Sequence, residues 1–154
     1  MDDDMSAYMR CIDIDLNGVV RMTFLVARKM RERGTAGRII SISSNAGTMA
    51  SSATDMTAYC TAKAGVNMFT RAMAFELAKH QITVNAIAPG FTVSNLTTKL
   101  PQERIDKIAA KMPTGRLGTP IEIGALAVYL ASDAASQVTG TVVTIDGAHS
   151  LAIS

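Results

Sequence analysis

The sequence predicts an α/β fold, the C-terminal part of a doubly wound parallel (Rossmann-like) sheet: three strands with flanking helices in a single partial domain over residues 1–154. Two observations carry this. Helix-period and strand-length apolar runs alternate as helix–strand–helix–strand–helix–strand, the order of parallel strands joined by crossover helices. The first two strands end on small or turn-forming residues, Ser43-Ser44 and Pro89-Gly90, and ligands on such sheets bind beyond the carboxyl ends of the strands.

Residues 8–33 read as one long helix, with Ile12, Leu16, Val19, Thr23, Val26 and Met30 recurring at steps of three and four. Gly34 and Gly37 end it. Residues 38–43 (Arg-Ile-Ile-Ser-Ile-Ser) are β-rich and suit a buried strand, and a small-residue loop over 45–54 follows. The next helix spans 57–79, with Val66, Phe69, Met73 and Leu77 on one face. A second strand, 82–88, is stopped by Pro89-Gly90, and a short helix covers 102–111. Thr119, Pro120 and Glu122 form a helix start: a cap, a proline at the first helical position and a glutamate placed for a capping box. Ile123, Leu126, Ala127 and Leu130 give that helix its apolar stripe. Residues 141–145 are the third strand and Asp146-Gly147 the turn after it.

Composition narrows the function classes. Apolar residues make up 48% of the chain and charged ones 18%, which is globular rather than disordered. The net charge of +2 is too small to select nucleic acid or an anionic membrane, and the basic residues are scattered: Glu32 separates Arg31 from Arg33, and Asp106 sits beside Lys107. Cys11 and Cys60, far apart, suggest reduced thiols in a cytoplasmic protein. His80 and His149 stand alone, so no zinc site is expected. The acidic N-terminus is followed by no apolar run, so no signal peptide is expected, and the longest nearly apolar stretch, 123–131, is too short to span a bilayer. The glycosylation-like triplet Asn95-Leu96-Thr97 is read as chance.

The chemistry centres on Tyr59 and Lys63, which at i and i+4 leave one helix face together. A phenol with a pKa of about 10 is a poor base at neutrality, and a nearby ammonium favours its ionised form. The pair can therefore work as a general acid/base near neutral pH. Ser44, at the end of the preceding strand, is placed to donate a hydrogen bond to a substrate oxygen. Tyr-x-x-x-Lys alone is common on helix surfaces; the strand ending in serines upstream and the one ending in Pro-Gly downstream raise its weight.

Those segments together resemble the short-chain dehydrogenase/reductase family: residues 37–47 (Gly-Arg-Ile-Ile-Ser-Ile-Ser-Ser-Asn-Ala-Gly), 59–65 (Tyr-Cys-Thr-Ala-Lys-Ala-Gly), 84–90 (Val-Asn-Ala-Ile-Ala-Pro-Gly), Thr139-Gly140 and Ile145-Asp146-Gly147. The resemblance covers nearly the whole chain. It implies an oxidoreductase using NAD or NADP on an alcohol or ketone. Ser44 matches the serine that polarises the carbonyl, Tyr59 the proton donor/acceptor, and Lys63 the cation that makes the tyrosine acidic and holds the nicotinamide ribose. Pro89, Gly90, Thr92 and Ser94 fall on the segment embracing the nicotinamide end. Two departures stand out. Asp15 occupies the position of an asparagine that holds a water in the family's proton relay; the competing reading is a solvated helix acid. Asn17 lies on a different helix face. The Gly-rich pyrophosphate turn of the family finds no match, and the resemblance begins near the middle of the family's fold, so an N-terminal dinucleotide-binding half is expected to be missing.

The sequence leaves a second function open: an inactive fragment serving as an oligomerisation or interaction module. A serine hydrolase built on Ser44 is disfavoured, since no G-x-S-x-G elbow exists. Expected partners are a small alcohol or ketone and either a second copy or the missing half, with no nucleic acid and no membrane. The Ser/Thr-rich loop over 48–57 tilts the substrate toward a polyol or sugar, with 3-oxoacyl and steroid substrates open.

Overall fold

The structure, a computed structural model, describes residues 5–50, 55–95 and 97–151. The acidic residues 1–4, loop residues 51–54 and the middle of the Asn95–Thr97 triplet lie outside the described residues.

The elements in order are α1 (Ser6–Ile12), a π-helical turn (Asp13–Asn17), α2 (Gly18–Glu32), β1 (Gly37–Ile42), α3 (Thr57–Leu77), β2 (Ile82–Pro89), α4 (Gln102–Ala109), α5 (Pro120–Ala131) and β3 (Val142–Ile145). The strands form one parallel sheet in the order β1-β2-β3, with Gly37 opposite Ile82 and Ala86 opposite Val142. This is the predicted fold, with strand ends shifted by a residue. Parallel strands need covered faces. With α3 on β2 and α5 spanning β1 and β2, the central strand is buried residue after residue from Ile82 to Ala88. Ile39, Met73, Ala74, Leu77, Ile82, Val84 and Ala27 form the core cluster. A fully buried isoleucine or leucine there contributes about 1.5–3 kcal/mol.

The long N-terminal helix differs from its predicted form. It runs on from α1 to α2, but the π-helical turn at Asp13–Asn17 inserts an extra residue. One extra residue rotates the following face by roughly 100°. The buried positions of α2 are Thr23 and Ala27, with Met30 packed against the core, while Val26, expected on the stripe, is 38% exposed. The expected stripe of α5 is only partly realised: Leu130 is buried, and Ile123, Leu126 and Ala127 are half-buried. The capping box at Thr119 and Glu122 is present, and Arg116 clamps the same carboxylate at 2.6 Å.

The Arg116 hydrogen bond first, then those from Thr119, hold the Glu122 carboxyl down at about 2. A depressed carboxyl stabilises the fold above its ordinary range and loses that contribution as pH falls toward the folded value. Glu122→Ala should therefore lower the melting temperature at pH 7, by a margin that shrinks at pH 3. Thermal melts at the two pH values check this; equal margins would contradict it.

The outer faces of α2 and α3 carry Met22, Phe24, Leu25, Met68 and Phe75, all more than half exposed. Phe24 also packs against Phe69, ring centroids 5.9 Å apart. Among the described residues, no strand pairs with the outer edge of β1. Such an apolar face and open edge favour association. The chain should self-associate at micromolar concentration, and Phe75→Glu should shift it toward monomer, as read by light scattering; a monodisperse wild-type monomer would contradict this.

Candidate active site

The site is built where the C-terminal ends of the three strands meet the start of α3. As β1 ends, the chain docks onto α3 by specific contacts. The Ser43 hydroxyl donates to Asn67 Oδ1 at 2.5 Å, with the Lys63 carbonyl at 3.2 Å as a second acceptor in reach. Asn67 Nδ2 donates to the Gly47 carbonyl at 3.2 Å. A Cβ on Gly47 would lie 2.7 Å from the Lys63 carbonyl carbon, so only glycine permits this approach. Ser44 is buried, and its Oγ accepts from Ala46 N at 3.1 Å, capping a short 3₁₀ turn over Asn45–Gly47.

On α3, Tyr59 is half-buried and Lys63 is only 8% exposed. Lys63 Nζ lies 5.4 Å from the Tyr59 ring centroid. It pairs with Asp15 Oδ1 at 3.2 Å and donates to the Ile42 carbonyl at 3.4 Å. The π-helical turn thus brings Asp15 to Lys63, at a place where such bulges often mark functional sites. Asn17 turns elsewhere, donating to Asp13 at 3.2 Å. The Cys11 thiol donates to Asp15 Oδ2 at 3.7 Å; burial first, then the Asp15 charge, push this thiol up.

At the β2 end, Gly90 N donates to the Ile145 carbonyl at 3.1 Å. A Cβ on Gly90 would lie 2.6 Å from the Asp146 Cβ, so the β2 and β3 ends can meet only at a glycine. Thr92 Oγ1 donates to the Gly90 carbonyl at 3.1 Å, and Ser94 N donates to Thr97 Oγ1 at 2.7 Å within an exposed turn. Thr92 and Ser94 lie in a rim loop that pairs with Gly118, Val93 N donating to its carbonyl at 2.9 Å.

Sequence reasoning missed several residues. Asn67 and Ser43 clamp the Ser44 segment. Asn45 joins the β1 end to β3: its Nδ2 donates to Asp146 Oδ2 at 3.1 Å and lies 3.3 Å from His149 Nδ1. Burial pushes the Asp146 carboxyl up, but hydrogen bonds, from Ser150 first and then from Asn45, help hold it below the usual carboxylate range. His149 also stacks at a tilt on Phe91, 5.7 Å between centroids. Among the described residues, no group of three His, Cys, Asp or Glu is placed to hold a metal, and no helix is long and apolar enough to cross a membrane.

A family model described as enoyl-(acyl carrier protein) reductase matches residues 1–149. The chain is 40% identical over 136 residues to the 3-oxoacyl-[acyl-carrier-protein] reductase FabG of Pseudomonas aeruginosa, which covers 88% of this chain and 54% of that protein. It is 38% identical over 146 residues to the cis-4-hydroxycyclohexanecarboxylate dehydrogenase of Sinomonas cyclohexanicum, covering 95% of this chain and 57% of that one. A short-chain type dehydrogenase/reductase from Mycobacterium marinum superposes with a TM-score of 0.88 at 37% identity, over 96% of this chain and 58% of that structure. The chain thus spans about half the length of the relatives it matches. With its parallel sheet order and its Ser, Tyr and Lys segments meeting at one end of that sheet, it belongs to the short-chain dehydrogenase/reductase family.

Proposed function

We propose that the protein is an NAD- or NADP-dependent oxidoreductase that transfers a hydride between the nicotinamide and an alcohol or ketone, with Tyr59 as general acid/base. The observation that carries this reading is the buried Lys63 ammonium, which lies 5.4 Å from the Tyr59 ring and pairs with Asp15 at the strand end bearing Ser44. The residues present fit the nicotinamide end of the cofactor. An ammonium has three N–H donors; those of Lys63 meet Asp15 and the Ile42 carbonyl, which leaves one for a ribose hydroxyl. Pro89 and Gly90 leave the β2 end without a bulky side chain, and Thr92 and Ser94 stand at the rim.

The nicotinamide, when bound, supplies or takes up the hydride at carbon. In the reducing direction the Tyr59 hydroxyl gives its proton to the carbonyl oxygen. The Ser44 hydroxyl, whose oxygen already accepts from Ala46 N, directs its own proton to the same oxygen. Lys63 stabilises the phenolate left behind, and a proton returns to Tyr59 from the Lys63–Asp15 side. Asp15 fixes the ammonium but offsets part of its charge, in a place where the family carries a neutral asparagine. FabG and the Sinomonas dehydrogenase are named for substrates with a second oxygen function besides the reacting one. We infer the same class here.

Tyr59→Phe should remove nearly all turnover with the fold retained, since Ser44 only donates a hydrogen bond to the carbonyl oxygen while Tyr59 is the group assigned to give its proton up. The loss expected for a general acid/base is roughly 10²–10⁴-fold in kcat. Steady-state kinetics beside circular dichroism check this, and a variant keeping more than about a tenth of wild-type kcat would exclude the role.

Asp15→Asn should keep or raise activity, because the amide can still hold the Lys63 ammonium but does not offset its charge. Steady-state kinetics check this; a kcat reduced more than about tenfold would show that the carboxylate itself is needed.

A further inference from the structure

Among the described residues, His149 and its neighbour Asp146 are titratable side chains at the strand ends that the proposed chemistry does not use. Gly147 (φ +60°) and Ala148 (φ +65°) are both left-handed, and this double turn brings the chain back so that His149 N donates to the Asp146 carbonyl at 3.1 Å. The imidazole then meets residues from both other strand ends. Asn45 directly follows Ser44, and Phe91 directly follows Gly90. Phe91 is 44% exposed and His149 half-buried, so the two rings form a partly open wall beside the Ser44 segment.

The hydrogen bonds select the tautomer. Asp146 Oδ2 accepts from both Ser150 N at 2.8 Å and Asn45 Nδ2 at 3.1 Å, so Asn45 turns its NH₂ toward the carboxylate. The same NH₂ faces His149 Nδ1 at 3.3 Å and has a second proton to give. Nδ1 is therefore the acceptor, and a neutral imidazole carries its proton on Nε2, at the ring edge away from Asn45. A donor held by its partner nitrogen, next to an aromatic surface and one residue from the Ser44 segment, is built to read an acceptor atom.

We propose that His149 is a specificity-determining residue: its Nε2–H donates to a second oxygen of the substrate, remote from the reacting carbonyl, while Phe91 covers the carbons between. The ligand class is a ketone or alcohol carrying an ester, carboxylate or hydroxyl oxygen. This rests on the oxidoreductase reading, because the reacting oxygen must sit at Ser44 and Tyr59.

The test pairs two substitutions. Glutamine keeps a donor near the Nε2 position, whereas asparagine keeps a partner for Asn45 but falls short of the substrate. Reduction of ethyl acetoacetate is compared with that of 2-hexanone, which lacks the second oxygen. His149→Asn should cut the ratio of kcat/KM for the two ketones by about tenfold, the worth of one hydrogen bond, and His149→Gln should largely keep it. An unchanged ratio in His149→Asn, or loss in Gln with retention in Asn, would show that the imidazole serves only to brace Asn45. Long-range ¹H–¹⁵N spectra of the labelled chain supply a readout independent of turnover. The Nε2 resonance should be the protonated one and should move with ethyl acetoacetate but not 2-hexanone. If the wild type turns over neither ketone, the oxidoreductase reading fails, and the spectra alone decide His149: a protonated Nδ1 or no response to the ketoester would overturn the assignment.

Discussion

The rest of the site depends on one constraint, the docking of the β1 exit onto the first turns of α3. A strand end and a helix start share no covalent frame that could hold Ser44 and Tyr59 in register. Here Gly47 lets the loop backbone close against Lys63, and Asn67 reaches back to the Gly47 carbonyl. The Ser43 hydroxyl bonds to Asn67 from the other side. These groups are buried, so each lost bond carries a desolvation cost of about 1–3 kcal/mol. The same contact explains why Lys63 lies where it does: its own carbonyl and ammonium bracket the β1 end, the first beside Ser43 and the second on Ile42.

A buried ammonium needs compensation, since an unpaired ion in the interior costs several kcal/mol. Lys63 finds it in Asp15 and the Ile42 carbonyl. The pairing has a chemical consequence. A neutral partner would leave the full positive charge acting on Tyr59, whereas a carboxylate at 3.2 Å spends part of it on stability. The π-helical turn makes this pairing possible by turning Asp15 toward α3, and Cys11 one turn earlier packs its thiol on the outer carboxylate oxygen. Position and charge are set by the same deviation from regular helix.

Much of this was legible in the sequence. Strand runs such as residues 82–88 are legible because a central parallel strand is buried on both faces and reads as a nearly apolar run, here interrupted only by Thr83 and Asn85. Tyr59, Lys63, Ser44 and Gly90 stood out because their spacing and residue types are unusual together. The π-helical turn was hidden: steps of three and four tolerate one added residue without a visible break, so Val26 looked as good as Ala27. Ser43 and Asn67 were hidden because their partners lie 20 to 24 positions away, and a lone serine or asparagine carries no signal of its own. His149 looked solitary for the same reason, although its neighbours in space, Asn45 and Phe91, each directly follow a residue already marked.

The β2 and β3 ends repeat the logic of the β1 exit. Gly90 removes a side chain so that the Asp146 backbone can close against it, as Gly47 does for Lys63. Asn45 then ties the two junctions together, reaching from the Ser44 loop to the Asp146 carboxylate. Both junctions are short and closed by a glycine, and the Asn45 side chain links them by a hydrogen bond from the residue after Ser44. Pre-organisation of this kind is what positions reacting groups to within fractions of an ångström. The rings of Phe91 and His149 join the same frame, since His149 Nδ1 lies 3.3 Å from the Asn45 amide and the two rings are 5.7 Å apart.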